Sequence, residues 1–91
     1  MNNLSNKIVN NQPLEVTVYP NPVNDLLFVS GLHLGSTLMF YDVKGELSKT
    51  EKVKGVNTGV FMDDLSVGIY FLRVKDSKGW TQTIKIINKE G

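Results

Sequence analysis

Few side chains in this 91-residue chain could do chemistry. His33 is its only histidine and it has no cysteine, which excludes thiol catalysis, a disulfide framework and a thiolate metal site. A zinc centre needs three or four ligands and a general base needs an oriented partner. His33, set between Leu32 and Leu34 in a Gly31-to-Gly35 segment, reads instead as a loop residue. Asp63-Asp64 is the one adjacent carboxylate pair. Neighbours on a strand point to opposite faces, whereas a two-carboxylate mechanism needs both groups on one substrate. The Asp-x-Asp-x-Asx-Gly spacing of a calcium loop is also missing, so the pair reads as a solvated turn. Trp80, taken with Tyr19, Tyr41 and Phe71, invites comparison with sugar-stacking surfaces. A single tryptophan on a strand that also carries Ile84 and Ile86 is more simply a packing residue that caps a core, and no further member of an aromatic ridge is evident. The glycines and Lys44 lack a phosphate-loop pattern. The reading is a non-catalytic chain with no metal and no cofactor.

The elements that hold these residues are strands. Leu14, Val16 and Val18 alternate with Glu15 and Thr17 at period two, and Tyr19-Pro20-Asn21-Pro22 ends that run because Pro20 has no N–H to donate. Leu26-Leu27-Phe28-Val29 is apolar on both sides, as expected of a strand pressed between the core and a neighbouring segment, and Gly31 closes it. Thr37 to Val43 is a third strand, and Asp42 to Glu46, with Gly45, supplies the reversal. Glu46 to Val53 has the polar alternation of an edge strand, blunted by Lys49 and Lys52, with Leu47 its clearest inward candidate. A short element runs from Asn57 to Met62 and on to Leu65. The chain closes on a hairpin, Gly68 to Lys75 and Trp80 to Ile87, joined by Asp76-Ser77-Lys78-Gly79. The expected inward set is Val16, Val18, Leu27 or Leu26, Phe40 or Met39, Leu65, Tyr70, Leu72, Val74, Ile84 and Ile86. About seven short strands with turns roughly every ten residues predict an all-β, compact antiparallel sandwich.

Composition fits one small domain. A hydrophobic fraction of 41% and a charged fraction of 21% are those of a globular chain, which argues against disorder. Ten basic against nine acidic residues leave a formal charge of +1, and the basic residues are interspersed among acids without forming a block, so nothing recommends a nucleic-acid partner. No apolar run is long enough to span a membrane as a helix. Residues 1–13 carry Asn2, Asn3, Asn6, Asn10 and Asn11 without periodicity and read as a flexible Asn-rich linker from a larger upstream domain, with residues 14–91 forming the sandwich. They lack the apolar segment of a secretory signal, so if the chain comes from an exported protein its signal is expected far upstream.

Four stretches, in order, resemble the C-terminal sorting domain of the type IX (Por) secretion system of Bacteroidetes. Tyr19-Pro20-Asn21-Pro22-Val23-Asn24-Asp25-Leu26-Leu27 resembles its opening motif, and Leu38 to Gly45, with the Asp42-x-x-Gly45 turn, resembles its middle strand. Asp64-Leu65-Ser66-Val67-Gly68-Ile69-Tyr70-Phe71-Leu72-Arg73-Val74 is similar to its third motif, and Thr83 to Lys89 to its terminal basic and aliphatic one, although Asn88 interrupts the usual lysine-rich ending. The resemblance covers about Val16 to Lys89. It implies an immunoglobulin-like sandwich that catalyses nothing and is fused behind a cargo. Such a domain is read by the outer-membrane translocon during transit through the periplasm, and is removed in many members by a cysteine-type transpeptidase that leaves the cargo on the outer surface or secreted. The expected recognition residues are Lys85, Ile86, Ile87 and Lys89, with strand addition along a free edge of the last strand as the mode. Tyr19, Pro20, Asn21, Pro22, Asp42, Gly45, Leu65, Gly68 and Tyr70 carry the motifs. The alternative function is an accessory carbohydrate-binding sandwich of a secreted hydrolase, whose mark would be a solvent-facing row of aromatics.

Overall fold

The computed structural model describes residues 15–53 and 55–89. The expected linker, residues 1–13, lies outside the described residues. Seven strands follow in order: β1 Thr17–Tyr19, β2 Leu26–Ser30, β3 Thr37–Tyr41, β4 Leu47–Lys52, β5 Asn57–Phe61, β6 Gly68–Lys75 and β7 Thr81–Asn88. They form two antiparallel sheets, a three-stranded one in the order β1-β2-β5 and a four-stranded one in the order β4-β3-β6-β7. The predicted seven-strand all-β sandwich is the observed fold.

Alternation decides which side chains meet between the sheets. Tyr70, Leu72 and Val74 of β6 face Leu38 and Phe40 of β3 and Ile86 of β7 on one inner surface, against Leu27, Val29 and Val60 of the other sheet. Val18, Leu65, Trp80 and Ile84 are partly buried and pack against this cluster. Five further core residues, Val16, Val23, Leu32, Val53 and Met62, sit outside any strand. Their backbone groups are hydrogen-bonded across the structure, as in the bonds from Leu32 N to Val56 O and from Val53 N to Ser36 O, so apolar side chains plug the open ends of the sandwich.

Two sequence expectations fail locally. Leu47 points outward and is 54% exposed, because the register shifts between Phe40 and Tyr41 and the extra β4 residue inverts the alternation. Lys49 takes the inward position opposite Phe40, its side chain largely covered, and its ammonium reaches Asp64 at 2.8 Å. Phe28 is not covered by a neighbouring segment either; it is 41% exposed and stacks on Tyr19 with ring centroids 5.4 Å apart.

Two hairpin turns share one chemistry. Asp42 Oδ1 accepts the amides of Lys44 and Glu46, and Asp76 Oδ1 accepts those of Lys78 and Trp80, all at 2.8–2.9 Å. Each turn then needs left-handed backbone three residues on, where Gly45 (φ 85°) and Gly79 (φ 93°) supply it. Asp76 is buried, which by itself raises its pKa, but the Trp80 and Lys78 amides and the nearby His33 outweigh burial and hold the carboxyl below the ordinary value of 3.8. Stability from this carboxylate is complete above about pH 4 and is lost as pH falls through its folded pKa. Between about pH 5 and pH 2 the melting temperature of the wild type should fall more steeply than that of Asp76→Asn, which keeps an acceptor but cannot ionise. Parallel pH profiles for the two proteins in thermal melts would show that Asp76 contributes nothing to acid sensitivity.

Candidate functional site

The segments that carry the opening, third and terminal motifs are joined by hydrogen bonds. β7 is an edge strand, and the chain preceding β2 runs alongside it in the same direction. At the far end Gln82 grips Val16 through its side chain, with Oε1 accepting Val16 N–H and Nε2 donating to Val16 O, both at 3.2 Å. Further on, Asn21 uses its side-chain amide in place of a backbone peptide: Nδ2 donates to Lys85 O and Oδ1 accepts Ile87 N–H, both at 2.9 Å. Val23 completes the pairing as a parallel bridge to Asn88, donating to Ile87 O at 2.8 Å and accepting from Lys89 N at 2.7 Å. Prolines 20 and 22, both after cis peptide bonds, have no N–H to offer the edge. An asparagine side chain between them does the bonding instead. An incoming strand along β7 would have to displace this segment, so the edge expected to be free is occupied.

The third motif is tied to the same place through Asn88. This residue is buried, and its Nδ2 lies 3.1–3.2 Å from the carbonyls of Met62, Leu65 and Ser66, which hold the loop between β5 and β6. Tyr70 Oη donates to Ser66 O at 2.8 Å, an arrangement like the tyrosine corner of other β-sandwiches. Asp64, in the same loop, is held below the usual carboxylate range by its hydrogen bond to Lys49. An open notch of about 350 Å³ lies beside this loop, with Ser66, Asn88 and Lys89 on its walls. In the sequence Asn88 looked like an interruption of a basic ending; the structure makes it the staple of a loop more than twenty residues upstream. A buried strand position occupied by an amide was the available signal, since a polar residue there must find partners.

The expected recognition residues divide by strand parity. Lys85, Ile87 and Lys89 point away from the core, with Ile87 38% exposed, whereas the Ile86 side chain is fully buried and belongs to the core. Asp63 and Asp64 are exposed in the loop after β5. His33 is exposed in its loop, with Nδ1 3.5 Å from Asp76 Oδ2. Among the described residues, no group of three or more His, Asp or Glu side chains could hold a metal ion. Trp80 is partly buried against the core. The aromatic row absent around it occurs on the other sheet, where Tyr19, Phe28 and Phe61 are 55%, 41% and 58% exposed on the outer surface about Gly59.

Two substitutions test the joints. Asn21→Ala removes two exposed hydrogen bonds and should cost about 1–3 kcal/mol, with faster hydrogen exchange at the Ile87 amide than in the wild type. Unchanged protection there would mean that Asn21 does not hold the edge. Asn88→Asp sets a carboxylate against three carbonyl oxygens and should lower the melting temperature at neutral pH by more than Asn88→Ala does. The reverse order in thermal melts would rule out a donating role for Asn88.

A search of curated proteins finds no match. Among solved structures, the chain is similar to part of PorZ, described as an essential bacterial surface component of the type IX secretion system of the human oral-microbiomic Porphyromonas gingivalis. The TM-score is 0.70 at 23% identity, over 80% of this chain and 11% of that one. That likeness establishes a shared fold, and this chain spans about a tenth of the PorZ chain's length. The sequence itself matches, over residues 17–89, the family described as the secretion system C-terminal sorting domain. The chain therefore belongs to the type IX C-terminal sorting domains, which act as a secretion address and not as a catalyst, for proteins that cross the periplasm to the cell surface or beyond.

Proposed function

We propose that residues 14–91 are the address of a larger exported protein, joined through residues 1–13 to an upstream cargo. The translocon reads this address on the outward surface of β7 formed by Lys85, Ile87 and Lys89, and a cysteine-type transpeptidase afterwards removes the domain. The observation that carries this reading is the hydrogen-bonded junction of the opening and terminal motifs, in which Asn21 and Val23 bond to Lys85, Ile87 and Lys89. A receptor contacting the end of β7 meets both motifs at once. Lys85 and Lys89 add positive charge to that surface without contributing to the core. With Ile86 in the core, the surface keeps its shape while presenting only Ile87 as an apolar contact.

The test is a reporter protein carrying an N-terminal export signal and residues 14–91 at its C-terminus, expressed in a bacterium with the type IX system. The reporter should reach the surface or medium, and should remain in the periplasm of a strain lacking the outer-membrane translocon. Replacing Lys85 and Lys89 by Ala should reduce export without moving the melting temperature of the purified domain by more than about 2 °C. Full export of a fusion lacking residues 84–91 would sink the sorting-signal assignment of this tail. Retention of the domain on the surface cargo in a strain with an intact transpeptidase would sink the removal step.

The exposed Tyr19, Phe28 and Phe61 favour a second reading, an accessory carbohydrate-binding module, because planar rings on a sheet surface can stack on sugars. Calorimetric titration of the domain with cellohexaose and xylohexaose separates the two. Binding lost in Phe61→Ala would support the carbohydrate role, and no heat at millimolar sugar would remove it for these glycans.

A further inference from the structure

The near-neutral composition conceals a strongly asymmetric surface. On the outer side of the four-stranded sheet, alternation places Thr37, Met39 and Tyr41 of β3 beside Lys75, Arg73 and Phe71 of β6, with Thr81, Thr83 and Lys85 of β7 beyond them. Lys52 of β4 stands opposite Thr37 at one margin, and Lys89 continues the β7 alternation at the other. Five cations, Lys52, Arg73, Lys75, Lys85 and Lys89, thus share one face, and no outward position of these four strands carries a carboxylate. The acidic residue of β4, Glu51, lies opposite the inward-facing Leu38. None of the five cations is in a salt bridge among the described residues. The same face carries exposed apolar side chains, Phe71 and Ile69 on the central β6, Ile87 on β7 and Leu47 on β4, exposed by 39%, 38%, 38% and 54%, with Tyr41 and Met39 partly covered beside them.

We propose that this whole face, and not the β7 margin alone, is the docking surface for a protein partner whose contact patch combines apolar side chains with carboxylates. The proposal rests on the sorting function above and extends the recognition surface by three strands. Exposed apolar side chains offer a protein partner surface to bury, and a single sign of charge among them selects a partner of the other sign and speeds encounter. An anionic polysaccharide or lipid headgroup would satisfy the cations but leave the four exposed apolar side chains without a partner. The outer face of the other sheet has no ionised side chain on its strands, so the charge distinguishes one side of the sandwich from the other.

Arg73 and Lys75 provide the test because they lie outside both the terminal motif and the hydrogen-bonded edge. In the reporter fusion, Arg73→Glu with Lys75→Glu should cut export roughly tenfold or more, and Arg73→Gln with Lys75→Gln by less. The turn variant Lys44→Glu with Lys78→Glu, equal in charge change, should export as the wild type. Thermal melts of each purified domain show that the fold is retained. Export of the Glu variant at the wild-type level overturns the proposal while leaving the sorting function intact, whereas a wild-type fusion that is not exported removes both. Purified domain is also sedimented with phosphatidylglycerol vesicles and with lipopolysaccharide. Binding to either that is lost in the Glu variant would assign the face to an anionic lipid or glycan and overturn a protein partner; no sedimentation, together with the export defect, is the expected result.

Discussion

The structure depends on how it closes one edge. A sandwich of seven strands in two open sheets leaves strand edges with unpaired N–H and C=O groups, and such edges pair with other chains unless they are blunted. β7 is long and follows a long β6, so its open side is the most exposed to this hazard. The chain closes it with its own earlier segment, held by the Gln82 side chain at Val16, the Asn21 side chain at Lys85 and Ile87, and the Val23 backbone at Ile87 and Lys89. The segment crosses from one sheet to the other to do so, since β1 pairs with β2 while Val23 pairs beside β7. Val23 is thereby driven into the core, and the two sheets are joined along one side by hydrogen bonds as well as by packing.

This closure explains why distant motifs of the family occur together. The Asn in the opening motif needs the backbone of the last strand, and the last strand needs a partner that can bond without the amides a proline lacks. Asn88 links the same strand to the Leu65-Ser66 segment, and Tyr70 secures that segment from β6. The opening, third and terminal motifs are accordingly parts of one hydrogen-bonded assembly. The proposed recognition surface lies on the outside of that assembly, and its shape is set by residues that face the other way.

Strand number, the hairpin of β6 and β7, and most of the inner set were legible from the sequence, because alternation at period two and glycine-bearing turns are local signals. Leu47 was not, since a one-residue bulge leaves no mark in composition and reverses every side chain after it. Val23, Leu32, Val53 and Met62 were missed as core because they lie in irregular segments, where no period exists to count. The clustering of positive charge escaped notice for a related reason. Residues on one face are two apart along a strand and come from strands far apart in the chain, so a linear scan sees alternating signs where the sheet presents one. The role of Asn21 needed the fold as well, because its partners lie 64 and 66 residues away.

The direction of the edge-closing segment has a mechanical consequence. Residues 16–23 and 82–89 run side by side in the same sense and are joined by six hydrogen bonds. A cargo pulling on the chain before Val16, against a domain held beyond Lys89, draws the two segments in opposite directions along their common axis. All six bonds then bear the load together, in shear, and none can be peeled open ahead of the others. A domain built this way resists tension applied along the line of these two segments, yet can be opened at low force by a pull directed sideways at either one.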